Sequence, residues 1–142
     1  MRKLALSDEI LMSIEKPARY IGGEYNSVMK DKEQVDVRFC MCFPDVYEIG
    51  MSHLGIQILY DMFNRREDTW CERVYSPWPD LHKVMKEQHI PLFALESQDP
   101  LKEFDFLESL FSMRCVIRIS YRCLIWQRFR SGRRIGKRVI RS

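Results

Sequence analysis

The 142-residue chain has little of what marks several large classes of protein. Its apolar runs extend only a few residues before a charge interrupts them, well short of the ~20 that a membrane-spanning helix needs. No membrane partner is expected on that count. Met1-Arg2-Lys3 is followed by Leu-Ala-Leu and then Ser7-Asp8-Glu9, which is not the apolar stretch of a secretory leader. Glycine and proline number only six each, and no internal repeat or low-complexity segment is visible. The five cysteines, Cys40, Cys42, Cys71, Cys115 and Cys123, are odd in number and sit in apolar or strand-like stretches. That excludes a disulfide scaffold and leads us to expect reduced thiols in a cytoplasmic protein. Neither G-x-G-x-x-G nor a Walker sequence occurs, so a dinucleotide or nucleoside triphosphate site has no specific support.

What is present is a composition of 46% hydrophobic and 30% charged residues, suited to one domain with a core of its own. The net charge of +3 hides a break. Residues 1–107 hold 13 basic and 19 acidic side chains, a net of −6, whereas residues 108–142 hold 10 basic and one acidic, a net of +9. The second part reads either as a basic nucleic-acid or membrane arm or as a tail never selected to fold or to bind.

Along the chain, Ser7-Asp8-Glu9 ahead of Ile10, Leu11 and Ile14 predicts a capped helix that stops before Pro17. Tyr20 to Asn26, with Gly22-Gly23 at its centre, predicts a tight hairpin or loop. Val35 to Phe43 is β-rich and nearly continuously apolar toward its end, the pattern of a strand buried on both faces, closed by Pro44-Asp45. After a loop from Val46 to Met51, Ser52 is placed to cap a helix carrying Leu54, Ile58, Leu59, Met62 and Phe63 through Asn64. Glu72 to Ser76 predicts a second strand. Asp80 is placed to cap a second core helix with Leu81, Val84 and Met85. Ile90 to Leu95 predicts a third strand, Leu101 to Glu103 a short connection, and Phe104 to Leu107 the start of a fourth. Alternating strands and helices imply an α/β, Rossmann-like, mainly parallel sheet with flanking helices.

Ligands of such sheets bind beyond the carboxyl ends of the strands. That directs attention to the loop Pro44–Gly55 and to Asp45, Tyr47, Glu48, Gly50, Ser52, His53 and Gly55 as candidate cofactor-binding residues. The helix expected at Ser52 offers free backbone N–H groups to an anion or to an amide-rich edge; equally, Asp45 and Ser52 cap turns and Tyr47 packs. His53 reads as a metal ligand or as a polar surface or capping group, while His82 and His89 read as solvated. Cys40-x-Cys42 places two thiols on one strand face, enough to begin a metal site but lacking ligands to complete one; the other reading is buried small hydrophobes. Lys16, Arg19, Gly22 and Gly23 suit a phosphate grip or a solvated loop that seats the first helix. Trp70, Tyr75 and Trp78 suit a partner surface or core and rim packing.

The strings Lys16-Pro17-Ala18-Arg19-Tyr20, Gly23-Glu24, Asn26, Lys30-Asp31, Phe43 to Gly55 and Ile58-Leu59-Tyr60 resemble a radical SAM protein family that carries an amino-terminal cobalamin-binding-like Rossmann domain. Glu72-Arg73, Pro77, Asp80, Pro91-Leu92, Leu95-Glu96-Ser97 and Phe104-Asp105 continue the resemblance, which spans about residues 10–107. It implies a parent enzyme that cleaves S-adenosylmethionine at a [4Fe–4S] cluster, with cobalamin as a further cofactor. The cluster motif of the family, C-x-x-x-C-x-x-C, lies in a downstream barrel, and none of the five cysteines here has that spacing. The axial-histidine pattern D-x-H-x-x-G of one cobalamin class also fails, because Met51 and Ile56 stand where Asp and Gly belong.

After Leu107 the family pattern runs G-[FI]-S-[LV]-Q-Y-E, then Y-T-N, M-L, L-A and I-P, and nothing in frame from Glu108 matches it. One step out of register, however, Met113-Arg114 can encode only Glu or Ala, Ile125-Trp126 only Leu or Met, and Trp126-Gln127 only Ala. Q-Y-E, Y-T-N and L-A all emerge in the right places. These observations predict a nucleotide lost near codon 108 and a non-native basic tail.

The expected organisation is thus a helix and loop arm over residues 1–34, a partial Rossmann-like domain of the cobalamin-binding type over 35–107, and the tail over 108–142. The expected function is that of an N-terminal fragment of a radical SAM, iron–sulfur-dependent enzyme that lacks its C-terminal barrel partner and is inactive alone, with no specific nucleic-acid partner. The alternative is a stand-alone Rossmann-like module that binds a small, cobalamin-like cofactor.

Overall fold

The computed structural model describes residues 4–109, so the expectations for the basic tail lie almost wholly outside the described residues. The sequence elements become α1 (Asp8–Ser13), α2 (Ala18–Ile21), β1 (Val37–Phe43), α3 (Tyr47–Ser52), α4 (Leu54–Asn64), β2 (Thr69–Tyr75), α5 (Pro79–Glu87), a 3-10 turn at Leu101–Glu103, and β3 (Phe106–Ser109). The three strands form one parallel sheet in the order β2-β1-β3. The fold is α/β, with a three-stranded open sheet and flanking helices, an incomplete Rossmann-like arrangement.

The pleat of β1 explains its continuous apolar run. Met41 and Phe43 point to one face and pack with Cys71 of β2 and with Ile56 and Tyr60 of α4. Cys40 points to the other face, where Val74, Ala94 and Leu101 cover it. A further cluster joins Leu6, Ile10 and Ile14 of the N-terminal segment to Leu81 and Met85 of α5 and to Phe93. Ser7 caps α1, its hydroxyl accepting from the Ile10 N–H.

Several boundaries differ from the sequence expectation. The loop after β1 contains a helix, α3, and Ser52 ends it rather than opening the next one; the N-cap of α4 is His53. Trp78, not Asp80, is the N-cap of α5, because Pro79 takes the first helical position. Gly22 and Gly23 have φ of 59° and 80°, so the pair ends the single turn of α2 with left-handed backbone instead of forming a hairpin.

The segment Ile90–Leu95 is not a strand. It lies along the outer edge of β2, where the Leu95 N–H donates to the Arg73 carbonyl at 2.8 Å and Phe93 forms an isolated antiparallel bridge with Pro100. The neighbouring edge groups are taken by side chains. Glu96 accepts from the Arg73 N–H at 2.8 Å and from Arg73 Nε at 2.7 Å. Asn64 takes both edge groups of Cys71, accepting from its N–H and donating to its carbonyl at 2.9 Å. Glu72 accepts from the Ser97 N–H at 2.8 Å, which holds the turn, and from Arg38 Nη2 at 2.6 Å. A turn, the Glu96 carboxylate and the Asn64 amide thereby cover an edge that would otherwise present unpaired backbone groups.

Arg38 is held further by Asp99 Oδ2 at 2.9 Å and lies over Phe104 at 4.4 Å and Trp70 at 5.1 Å. Because Glu72 is fully buried, removing its cation leaves an uncompensated charge. Arg38→Met is therefore expected to cost about 3–5 kcal/mol in urea unfolding, and Arg38→Met with Glu72→Leu to recover most of that loss. A double variant no more stable than Arg38→Met alone would show that the loss does not come from a stranded Glu72 charge.

Candidate functional site

The carboxyl ends of β1 and β2 are bridged by the loop that the sequence singled out. Asp45 Oδ1 accepts from the Val46 N–H at 2.7 Å and its carbonyl accepts from the Ser76 N–H at 2.9 Å, which pins the loop to the end of β2. Tyr47 opens α3 and stacks edge-on against Tyr75, with ring centroids 5.5 Å apart. Glu48 turns to the arm, where Arg19 Nε and Nη2 both reach Oε1 at 2.8 Å and Lys16 stands at 3.7 Å. Gly50 lies beneath the Tyr75 ring; a Cβ there would fall 2.2 Å from a ring carbon, so no larger residue fits without displacement.

The remaining candidates sit where α3 gives way to α4. The Ser52 hydroxyl donates back to the Glu48 and Ile49 carbonyls, which ties it into its own helix. His53 is half-buried against Phe43, with ring centroids 5.4 Å apart, and a Cβ on Gly55 would meet its ring at 3.1 Å. The structure thus brings Asp45, Tyr47, Glu48 and Gly50 against the end of β2 and the arm, while Ser52, His53 and Gly55 shape the α3–α4 junction.

Beneath this loop is a group the sequence reading did not pick out as a site. Arg73 donates from Nε to Glu96, from Nη2 to Glu24 Oε2 at 2.8 Å and from Nη1 to Met51 Sδ at 3.4 Å, and its guanidinium lies 4.4 Å from the Tyr60 ring centre. The available signal was Glu72-Arg73 between Cys71 and Val74: two adjacent charges within a strand require buried partners. Glu24, which the sequence placed in a loop, supplies one of them.

The electrostatics favour hydrogen bonding over proton transfer. Arg19 holds the Glu48 carboxyl below the ordinary range of a glutamate. Burial pushes the Tyr47 and Tyr60 phenols up, and Tyr75 to about 12, so all three remain protonated donors at neutral pH. Burial likewise raises the Cys40 thiol and pushes Cys71 to about 12. Cys40 and Cys42 share one face of β1, as strand alternation predicts, and Cys71 faces the other side of the sheet, so the three thiols do not converge. No group of three or more His, Cys, Asp or Glu side chains among the described residues is placed to hold a metal ion. His89 is exposed and His82 half-buried. Trp70 is buried, with Nε1 donating to the Val28 carbonyl at 2.9 Å, and Trp78 lies at the rim beneath Arg19, 5.1 Å away.

In the sheet order β2-β1-β3 the connections diverge on either side of β1, which makes the crevice beyond β1 and β3 the usual ligand position. Its β1 wall is the loop described above, and Ser109, at the end of β3, is the last described residue. Residues 55–117 match the family model of radical SAM proteins, N-terminal region. The match supports a radical SAM N-terminal region for that span, which runs from α4 past β3 and includes Gly55 but not Asp45 to His53. No curated protein and no solved structure matches the chain. Among the described residues no helix is long and apolar enough to cross a membrane.

Two outcomes follow from this geometry. Gly50→Ala should destabilise the domain by about 1–3 kcal/mol in chemical denaturation, because the Tyr75 ring must move. Since the folded Glu48 pKa is depressed, the Arg19–Glu48 contribution is present at neutral pH and lost as pH falls through the folded pKa. Glu48→Gln should therefore flatten the acid limb of the stability profile, and an unchanged limb would assign it to other carboxylates.

Proposed function

We propose that this chain is the N-terminal part of a radical SAM, iron–sulfur-dependent protein and carries no radical chemistry by itself. The observation that carries the reading is the family match over residues 55–117 on a parallel α/β sheet. The cysteine spacing supports the second half: none of the five forms C-x-x-x-C-x-x-C, and the buried thiols are in neutral form. The cluster and S-adenosylmethionine belong, on this reading, to a C-terminal barrel supplied by the rest of the parent protein. The residues present do not fit an iron–sulfur cluster, and no step is derived through one.

The charge break after residue 107 and the family pattern hidden one register away support a frameshift near codon 108; the family match, which continues in frame to residue 117, counts against it. The basic tail is then an out-of-frame product whose attraction to polyanions is nonspecific. The odd set of reduced cysteines supports a cytoplasmic location.

A second reading is a stand-alone module that binds a small, cobalamin-like cofactor on the Pro44–Gly55 loop. It is favoured by the bracing of that loop through Arg19–Glu48 and Gly50–Tyr75. His53 does not lie in a D-x-H-x-x-G pattern, and its half-buried ring packs on Phe43, so no axial ligation is assigned to it.

Genomic DNA from codon 100 through the stop and several hundred bases beyond separates the two readings. An open shifted frame that encodes C-x-x-x-C-x-x-C is the expected result. A tail confirmed in frame, with no such sequence following, would overturn the fragment and put the binding module in its place.

A further inference from the structure

Where the end of β2 meets α5 and the arm there is a small cavity, lined on its polar side by Arg19, Arg73 and Tyr75 and otherwise by apolar side chains such as Leu81 and Phe93. Its free volume of about 20 Å³ is room for one water-sized group. Two lining side chains have unused hydrogen-bonding capacity: Arg19 Nη1 and the Tyr75 hydroxyl are buried without a protein partner. The Arg19 side chain is only 9% exposed, and its other two donors are both spent on Glu48. A buried donor without an acceptor is costly, so native structures fill such positions.

The charge around the cavity selects what fills it. Two guanidinium groups, Arg19 and Arg73, face three carboxylates, Glu48, Glu96 and Glu24, each within 2.8 Å of its partner. Lys16 is turned to Glu48 as well. Three cations thus face three carboxylates, and an entering anion would meet no free cation. The phosphate grip suggested by Lys16, Arg19, Gly22 and Gly23 in the sequence is therefore not what the geometry favours.

We propose that this cavity is a binding site for one neutral oxygen atom, that of a water molecule or of a small carbonyl compound, which accepts from Arg19 Nη1 and exchanges a hydrogen bond with the Tyr75 hydroxyl. The proposal does not depend on the radical SAM reading. Burial pushes the Tyr75 phenol up to about 12, so it is a protonated donor at neutral pH.

The test uses the full chain, its Tyr75→Phe variant, and acetamide and inorganic phosphate as probes. Tyr75→Phe removes one oxygen atom and should lower the folded-to-unfolded ratio by about fivefold or more. A carbonyl site predicts that acetamide saturably shifts the Arg19 Nε–H resonance, that phosphate does not, and that Tyr75→Phe, which keeps the reporting guanidinium, weakens the response. A water site predicts no acetamide response and a long-lived water whose nuclear Overhauser contact to Arg19 disappears in Tyr75→Phe. Tyr75→Phe as stable as the parent or more so, the result for a hydroxyl with no occupant to bond, would overturn the proposal. So would a phosphate response larger than that to acetamide.

Discussion

Two buried arginines on neighbouring strands organise this domain. Arg38 in the central strand and Arg73 in the edge strand each take carboxylates from distant parts of the chain: Glu72 and Asp99 in one case, Glu96 and Glu24 in the other. Both carboxylates also accept backbone N–H groups: Glu96 caps Arg73 on the outer edge of β2, and Glu72 holds Ser97 of the turn that covers it. Burial of that many charges is tolerable only when every partner is in place. The arm, the sheet and the turn at residues 94–99 therefore depend on one another more than apolar packing alone would require.

The position of the loop beyond β1 follows from this network. Arg73 fixes the end of β2, Tyr75 stands next to it, and α3 can approach only because residue 50 has no side chain. Around the loop the phenols and thiols are neutral and the one depressed carboxylate is held by Arg19. The chemistry of this surface is hydrogen bonding and shape; its residues 45–53 precede the family-matched span, 55–117.

Exposed apolar residues include single ones, such as Met12 of α1 and Ile49 of α3, and groups on α4 and β3. Leu54, Ile58 and Met62 lie on the side of α4 away from the sheet, and Phe106 and Leu107 are half-exposed on β3, which pairs only with β1 among the described residues. The sequence reading grouped Leu54, Ile58 and Met62 with Leu59 and Phe63 as one helical face. Helical periodicity established the helix, but α4 carries apolar residues on two sides; the core took Ile56, Leu59, Tyr60 and Phe63.

The succession β1, α4, β2, α5, the burial of β1 on both faces and the parallel class were legible in the sequence, because alternation, period and breaker residues are local properties. The cap of α1 by Ser7 was legible for the same reason. Other features belong to the tertiary structure. The helix at Tyr47–Ser52 lacks an apolar stripe of its own and is held by Glu48 to Arg19 and by Gly50 beneath Tyr75. Ile90–Leu95 has strand-like composition yet serves as an edge cover, since Glu96 and Leu95 satisfy the groups that a fourth strand would have paired. The pairing of Arg73 with Glu24 spans 49 residues. A charge within a strand announces that a partner exists; only the closed fold determines which carboxylate it is, because the desolvation that demands the partner arises when the chain has packed.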